Sequence, residues 1–192
     1  MTGHRAVITT LTTMALAMTG CGGGERQDAD EPAATYSVDV AQASFPSEQR
    51  LSKQTQMRIA VKNTGTRRIP DVAVTVDSFN RRSEQAGLAD PERPVWIVDQ
   101  GPRGGATSFV NTWALEGLAP GQTKTFSWKV TPIEAGRYSV KYRIAAGLDG
   151  KAKARSSEGN GPVGGTFTVR VSQRPSTSRV NPETGEVERT EG

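Results

Sequence analysis

Apolar and polar residues alternate with a period of two over much of the chain between residues 36 and 171. Trp128 and Val130, for example, alternate with Ser127 and Lys129. Because successive side chains of a strand point to opposite faces, this pattern predicts strands with one buried and one exposed face. The pattern is clear in six stretches, 36–40, 57–62, 71–77, 125–130, 137–144 and 166–171, and weaker in Val95–Val98 and Ser108–Leu115.

Turn-forming residues separate these stretches, as in Asn63-Thr64-Gly65, Ala119-Pro120-Gly121 and Ala135-Gly136. No stretch combines a helical period with capping residues. We therefore predict an all-β fold, an antiparallel β-sandwich of about seven strands over residues 35–172. Residues 173–192 are rich in Pro, Ser, Thr and charge, and we expect this tail to be disordered.

The first 20 residues have the composition of an export signal. A short basic start, His4-Arg5, precedes the mostly apolar stretch Ala6–Met18. A membrane-spanning helix needs about 20 apolar residues, so this stretch is too short to be one. It has the length of the apolar part of a secretory signal, about 7–15 residues. We expect residues 1–20 to be a signal peptide.

The segment Ala17-Met18-Thr19-Gly20-Cys21 resembles the lipobox of bacterial lipoproteins, although Met18 stands where Leu, Val or Ile is usual. The resemblance implies cleavage between Gly20 and Cys21 and attachment of acyl chains such as palmitate to Cys21. Two or more such chains, at about 0.8 kcal/mol per buried methylene, hold a protein stably at a membrane. The alternative is an ordinary secretory signal with a chance cysteine.

Cys21 is the only cysteine in the chain, and small, polar and charged residues follow it up to Ala34. This composition predicts a flexible tether over residues 21–34. We therefore expect a lipoprotein anchored to the extracytoplasmic face of a cell membrane, with membrane lipid as its first partner.

Most catalytic chemistry is missing from the expected mature chain. His4 is the only histidine and lies in the signal peptide, and the Cys21 thiol is acylated in this interpretation. A Ser-His-Asp triad and histidine-bound metals would then be unavailable. No phosphate-binding loop or dinucleotide fingerprint occurs. We predict a protein that is not an enzyme and that has no cofactor and no metal site.

Carboxylates leave one enzymatic alternative open. Asp90, Glu92, Asp99 and Glu116 could pair as the acids of an enzyme acting on envelope glycans. The first three could equally bind calcium. Neither possibility has a spacing signature, and solvated surface carboxylates are the ordinary case.

Net charge is +4 for the whole chain, and residues 35–172 hold 19 basic against 12 acidic residues. A basic domain could favour anionic lipid headgroups or wall polymers, although such a charge also serves solubility. The most concentrated basic stretch, 151–155, is predicted to be an exposed loop. It lacks the interleaved aromatic residues of nucleic-acid binding, so we expect no nucleic-acid partner.

The connection 80–105 is long for a sandwich, and such loops often carry binding residues. Its candidate binding residues are Arg81, Arg82, Trp96 and Asp99. For Trp96 we favour a second interpretation, in which the side chain fills one end of the core.

Three short motifs occur in order: Val61-Lys62-Asn63-Thr64-Gly65, Leu118-Ala119-Pro120-Gly121-Gln122 and Ala135-Gly136-Arg137-Tyr138. Together they resemble the cell-adhesion-related domain of bacteria, CARDB. The resemblance covers about residues 36–172 and implies an immunoglobulin-like β-sandwich without catalytic activity. It also suggests that the Tyr138 hydroxyl bonds back to the backbone, as in a tyrosine corner.

The leading functional hypothesis is an anchored binding or scaffold module of the cell envelope. Its partner would be an envelope protein or a wall polymer. The carboxylate-dependent enzyme is the alternative, and a purely structural spacer is a third possibility.

Overall fold

A computed structural model describes residues 31–80, 94–109, 111–148, 150–159, 161–174 and 177–190. These residues form strands and one 3-10 helix, Asp77–Asn80. Within these ranges, no helix has the length and hydropathy of a membrane span. The strands are β1 Thr35–Ser44, β2 Glu48–Arg50, β3 Thr55–Asn63, β4 Ile69–Val76, β5 Trp96–Gln100, β6 Ala106–Phe109, β7 Thr112–Leu118, β8 Thr123–Pro132, β9 Gly136–Ala145, β10 Lys153–Arg155, β11 Gly164–Ser172, β12 Thr177–Val180 and β13 Val187–Thr190.

The strands form two large sheets, which together make an immunoglobulin-like β-sandwich. A five-stranded sheet has the order β10-β1-β3-β8-β5, and a six-stranded sheet has the order β2-β11-β9-β4-β7-β6. The all-β class and the sandwich architecture predicted from the sequence are thus confirmed. Two of the connections that cross between the sheets, the β3–β4 and β7–β8 turns, meet at Asn63, whose side-chain amide donates to the carbonyls of Arg67 and Leu118.

The core lies between the sheets and contains the alternate residues that the pattern predicted to be buried. Met57, Ile59 and Val61 of β3 are fully buried, and Val72 and Val74 of β4 face them from the other sheet. Packed aromatic side chains extend the core. They are Phe45, Phe79, Trp96, Trp113, Phe126, Trp128 and Tyr138.

All six clear strand predictions are confirmed, and both weaker candidates contain strand residues. Val95–Val98 overlaps β5, which begins at Trp96. Ser108–Leu115 spans two strands, β6 and β7, because the chain reverses at Asn111, which has a positive φ of 61°. The count of about seven strands was too low, since β2, β6 and β10 are short edge strands of three or four residues that leave no long alternating pattern.

The basic stretch 151–155, predicted to be an exposed loop, forms part of a sheet edge instead. Residues Lys153–Arg155 are β10 and pair in parallel with Thr35–Ser37. The Lys153 amide donates to the Ala34 carbonyl at 2.8 Å, and the Ala152 side chain is buried. The small alanine lets the chain pack closely against the core, so the prediction of a simple solvated loop was wrong.

Residues 177–190 differ from the disorder predicted for the tail, because β12 and β13 pair as an antiparallel hairpin. The residues of the turn between these two strands favour the reversal of the chain. The Asn181 side-chain oxygen accepts a bond from the Glu183 amide at 2.9 Å, and Gly185 has a positive φ of 72°. Val180 and Val187 face each other across the hairpin and are exposed.

Candidate functional site

A polar groove lies on the outer face of the five-stranded sheet and has a volume of about 410 Å³. Three cationic residues line it: Arg58 from β3, Lys129 from β8 and Arg103 from the turn after β5. All three are exposed, as expected for charged side chains on the solvent face of a sheet. Neutral hydrogen-bonding side chains complete the lining, among them Gln56, Thr125 and Ser127.

Strand register brings the two strand cations together. Arg58 is opposite Ser127 in the β3–β8 pair, and Gln56 is opposite Lys129. Arg58 and Lys129 are therefore diagonal neighbours, a relation that puts residues about 7–8 Å apart on one face of an antiparallel pair. The Gln56 amide donates to the Ser127 hydroxyl at 2.7 Å, and this pair lies between the two cations.

Arg103 reaches the groove because the chain turns sharply after β5. The Gly105 amide donates to the Pro102 carbonyl at 3.2 Å, and Gly104 has a positive φ of 72°, which favours glycine. Gly101 lies close above the core, since a Cβ there would be 3.0 Å from the Trp113 indole nitrogen. The start of this turn is thus fixed against buried aromatic packing.

All the charged residues that line the groove are cationic. Its lining residues include no carboxylate. Within the described part of the chain, no ion pair or side-chain hydrogen bond joins Arg58, Arg103 or Lys129 to an acid. Among the residues that line the groove, an anionic ligand would therefore meet three cations and no carboxylate.

Asp99, a candidate binding residue, lies on the outer surface of β5 and is exposed. Its Oδ2 accepts bonds from the Thr131 hydroxyl at 2.7 Å and from the Gln54 amide at 3.0 Å. The carboxylate therefore bridges neighbouring chain segments at the end of the sheet. Arg81 and Arg82 lie outside the described residues.

Trp96, the remaining candidate of the connection, is fully buried. Its indole N–H donates to the Gln49 side-chain oxygen at 2.8 Å, and its ring packs against Tyr138 at 5.2 Å between centroids. The favoured interpretation as a core residue is confirmed. Its side chain is therefore removed from the candidate binding surface, because a fully buried indole cannot contact a ligand.

The structure does not bring together the carboxylates proposed for the enzymatic alternative. Asp99 is on the five-stranded sheet and Glu116 is on β7 of the six-stranded sheet, both with exposed side chains on outer faces. Asp90 and Glu92 lie outside the described residues. In the same described ranges, no group of three or more His, Cys, Asp or Glu side chains could hold a metal ion.

Glu116 instead has an acidic neighbour that the sequence did not single out. It lies opposite Asp71 in the β4–β7 pair. Burial raises the pKa of Asp71, and the charge of Glu116 raises it further, against a smaller lowering by Lys124. The Lys124 ammonium donates to the Glu116 backbone carbonyl. Two carboxylates side by side repel each other, so this pair weakens the folded state near neutral pH.

The tyrosine corner expected at Tyr138 is present. The Tyr138 hydroxyl donates to the Ala135 carbonyl at 3.0 Å, three residues upstream. Gly136 lies beneath it, where a Cβ would approach the hydroxyl oxygen to 2.7 Å. The Ala-Gly-x-Tyr motif therefore has an architectural role, and it fixes the entry of β9.

Comparison with known proteins found no matching family model and no matching curated protein. Solved structures of similar fold were found. The CARDB domain of the PF1109 protein from Pyrococcus furiosus, described as in complex with di-metal ions, is 18% identical, with a TM-score of 0.42 over 72% of this chain and 93% of that one.

Two other solved structures extend the same comparison. The PapD-like domain of human CEP192 is 11% identical, with a TM-score of 0.41 over 86% of this chain and 100% of that one. Native alpha-2-macroglobulin from Escherichia coli, from domain MG7 to the C-terminus, is 14% identical, with a TM-score of 0.44 over 79% of this chain and 21% of that one. This chain is thus similar to CARDB and related sandwich structures at low sequence identity.

Proposed function

We propose that the protein is a membrane-anchored, extracytoplasmic lipoprotein whose β-sandwich is a non-catalytic binding module of the cell envelope. The position of Cys21 carries the proposal. The only cysteine follows an export-type leader and stands 14 residues before Thr35, where β1 begins. A diacylated Cys21 would hold the domain at the membrane through a short polar segment.

The described surface supports a binding role. The groove lined by Arg58, Arg103 and Lys129 is open, polar and supported by paired strands. Rigid elements position binding groups better than loops do. The described residues contain no histidine and no cysteine, because His4 and Cys21 both precede residue 31. Catalytic arrangements that need either side chain are therefore absent from them.

The enzymatic alternative has less support. Asp99 and Glu116 lie on outer faces of different sheets, and the acid pair of Asp71 and Glu116 lies on an outer face of the sandwich. If the alternative held, Glu116→Gln would abolish turnover of wall glycans by the purified chain. A purely structural spacer would retain no ligand on either outer face.

Metabolic labelling with an alkyne-bearing palmitate analogue tests the anchor. The wild-type chain is expected to incorporate the label and to remain in the membrane fraction, and Cys21→Ser is expected to lose both properties. Gly24→Ser is the matched control, because it alters the same segment without removing the thiol. Equal labelling of Cys21→Ser, or a wild-type chain that carries no lipid, would contradict the proposal.

A further inference from the structure

We propose that the groove lined by Arg58, Arg103 and Lys129 binds consecutive phosphodiester groups of an anionic envelope polymer. This inference names a ligand for the proposed binding module and rests on that proposal for the location of the domain. Its physical basis is the number, the type and the position of the cations.

The number of cations favours a ligand with several negative charges. Three cations line one groove that contains no carboxylate. A single phosphodiester or carboxylate carries one negative charge, so it would leave two of the cations uncompensated. A polymer with a phosphodiester in each repeat can present three charges in a row. Binding it would also relieve the repulsion between the diagonal neighbours Arg58 and Lys129.

The donor types favour phosphate. A guanidinium presents paired donors that match two oxygens of a phosphate, and an ammonium acts as a compact point charge on the same group. The Thr125 and Ser127 hydroxyls line the same groove and can donate to further phosphate oxygens. The groove volume of about 410 Å³ is within the range of small-ligand sites, about 300–1,000 Å³.

The position of the groove favours a polymer over the headgroups of the anchoring membrane. The predicted tether 21–34 already contacts the sandwich before β1 begins, because the Leu148 amide donates to the Glu31 carboxylate at 3.0 Å. The first strand, β1, begins at Thr35, and Arg58 pairs with Ser44, its last residue. Nine residue steps of an extended strand span about 30 Å. The groove therefore lies toward the end of the sandwich away from the attachment point, about the length of β1 from the anchored end of the domain.

Isothermal titration calorimetry with soluble poly(glycerol phosphate) tests this inference. The full-length chain carrying Cys21→Ser keeps every described residue and removes the anchor, so binding is measured independently of lipidation. Removing one exposed charge contact, by Arg58→Gln or Lys129→Gln in this background, is expected to raise the Kd about fivefold. Lys141→Gln is the matched control, because Lys141 is an exposed strand cation on the other sheet.

The expected result is a groove-specific loss, with Lys141→Gln changing the Kd by less than about twofold. An equal loss in Lys141→Gln would overturn the inference, since binding would then depend on net charge alone. Tighter binding to vesicles of phosphatidylglycerol and phosphatidylcholine, lost in the groove variants, would assign the groove to lipid headgroups instead.

Equal, groove-dependent binding of poly-glutamate would also overturn the inference, because it would remove the preference for phosphate. Failure of the anchor is a separate result. A wild-type chain without lipid contradicts the proposed function, whereas the titration of the Cys21→Ser chain is unaffected by it.

Discussion

Asn63 is a buried polar residue that joins the ends of the two sheets, and its removal gives a sharp test. Its side chain is fully buried. The amide nitrogen donates to the carbonyls of Arg67 and Leu118, both at 2.8 Å, and the amide oxygen accepts from the Gly65 amide at 3.0 Å. One side chain therefore joins the turn after β3 to the end of β7.

Asn63→Ala would remove all three bonds and leave their partners without a replacement. The bond to Leu118 is buried, and the other two are partly buried. Each unsatisfied buried group costs about 1–3 kcal/mol, and the partly buried partners can recover some of this from water. We therefore expect a loss of about 3–5 kcal/mol in the free energy of unfolding, or roughly 10 °C in Tm for a domain of this size.

Urea unfolding followed by tryptophan fluorescence measures the change, because all three tryptophans are buried. Thr64→Ala is the control in the same turn, since Thr64 is exposed and such substitutions cost at most about 0.5 kcal/mol. Asn63→Asp should be at least as damaging as Asn63→Ala, because it turns carboxylate oxygens toward two carbonyls. A loss below about 1 kcal/mol for Asn63→Ala would refute this account of the inter-sheet connection.

Three further substitutions test the core and the acid pair by the same urea midpoint. Tyr138→Phe removes one hydrogen bond to the backbone and should cost about 1 kcal/mol; no change would mean that the corner is not a stabilising element. Trp96→Phe leaves a void and removes the donor to the Gln49 oxygen, so the free energy of unfolding should fall by about 2–3 kcal/mol. A smaller loss than for Tyr138→Phe would count against the central place of Trp96 in the core. The pKa of Asp71 is raised in the folded state by burial and by Glu116, so the ionised form disfavours folding. Asp71→Asn should therefore stabilise the protein at neutral pH, and this gain should vanish as the pH falls through the raised pKa toward 3.8; a gain that persists in acid would contradict the assignment.

The sandwich was predictable because burial of alternate side chains leaves a direct period-two pattern, as in Met57, Ile59 and Val61. The short strands were not, since three or four residues leave too little pattern to recognise. Asn63 was expected only as a turn residue, whereas its buried bridge to Leu118 joins positions 55 residues apart. Such a contact depends on the order of strands, which local residue preferences do not encode.

The groove was missed for the same physical reason. Arg58 and Lys129 were each recognisable as outward-facing strand residues, but only the pairing of β3 with β8 makes them neighbours. The candidates that the sequence offered lie in the connection 80–105, where Trp96 belongs to the core and Asp99 bonds to neighbouring polar side chains. Two outward-facing basic residues on different strands indicate a shared binding surface only when the two strands are known to pair.

Mass spectrometry of the mature N-terminus tests the central claim most directly. Trypsin should release residues 21–26 from the membrane-extracted protein, because Arg26 is the first basic residue after Cys21. We predict a peptide that begins at Cys21 and carries a diacylglyceryl group on its sulfur. A peptide with a free thiol, or one that still extends into residues 1–20, would contradict the account.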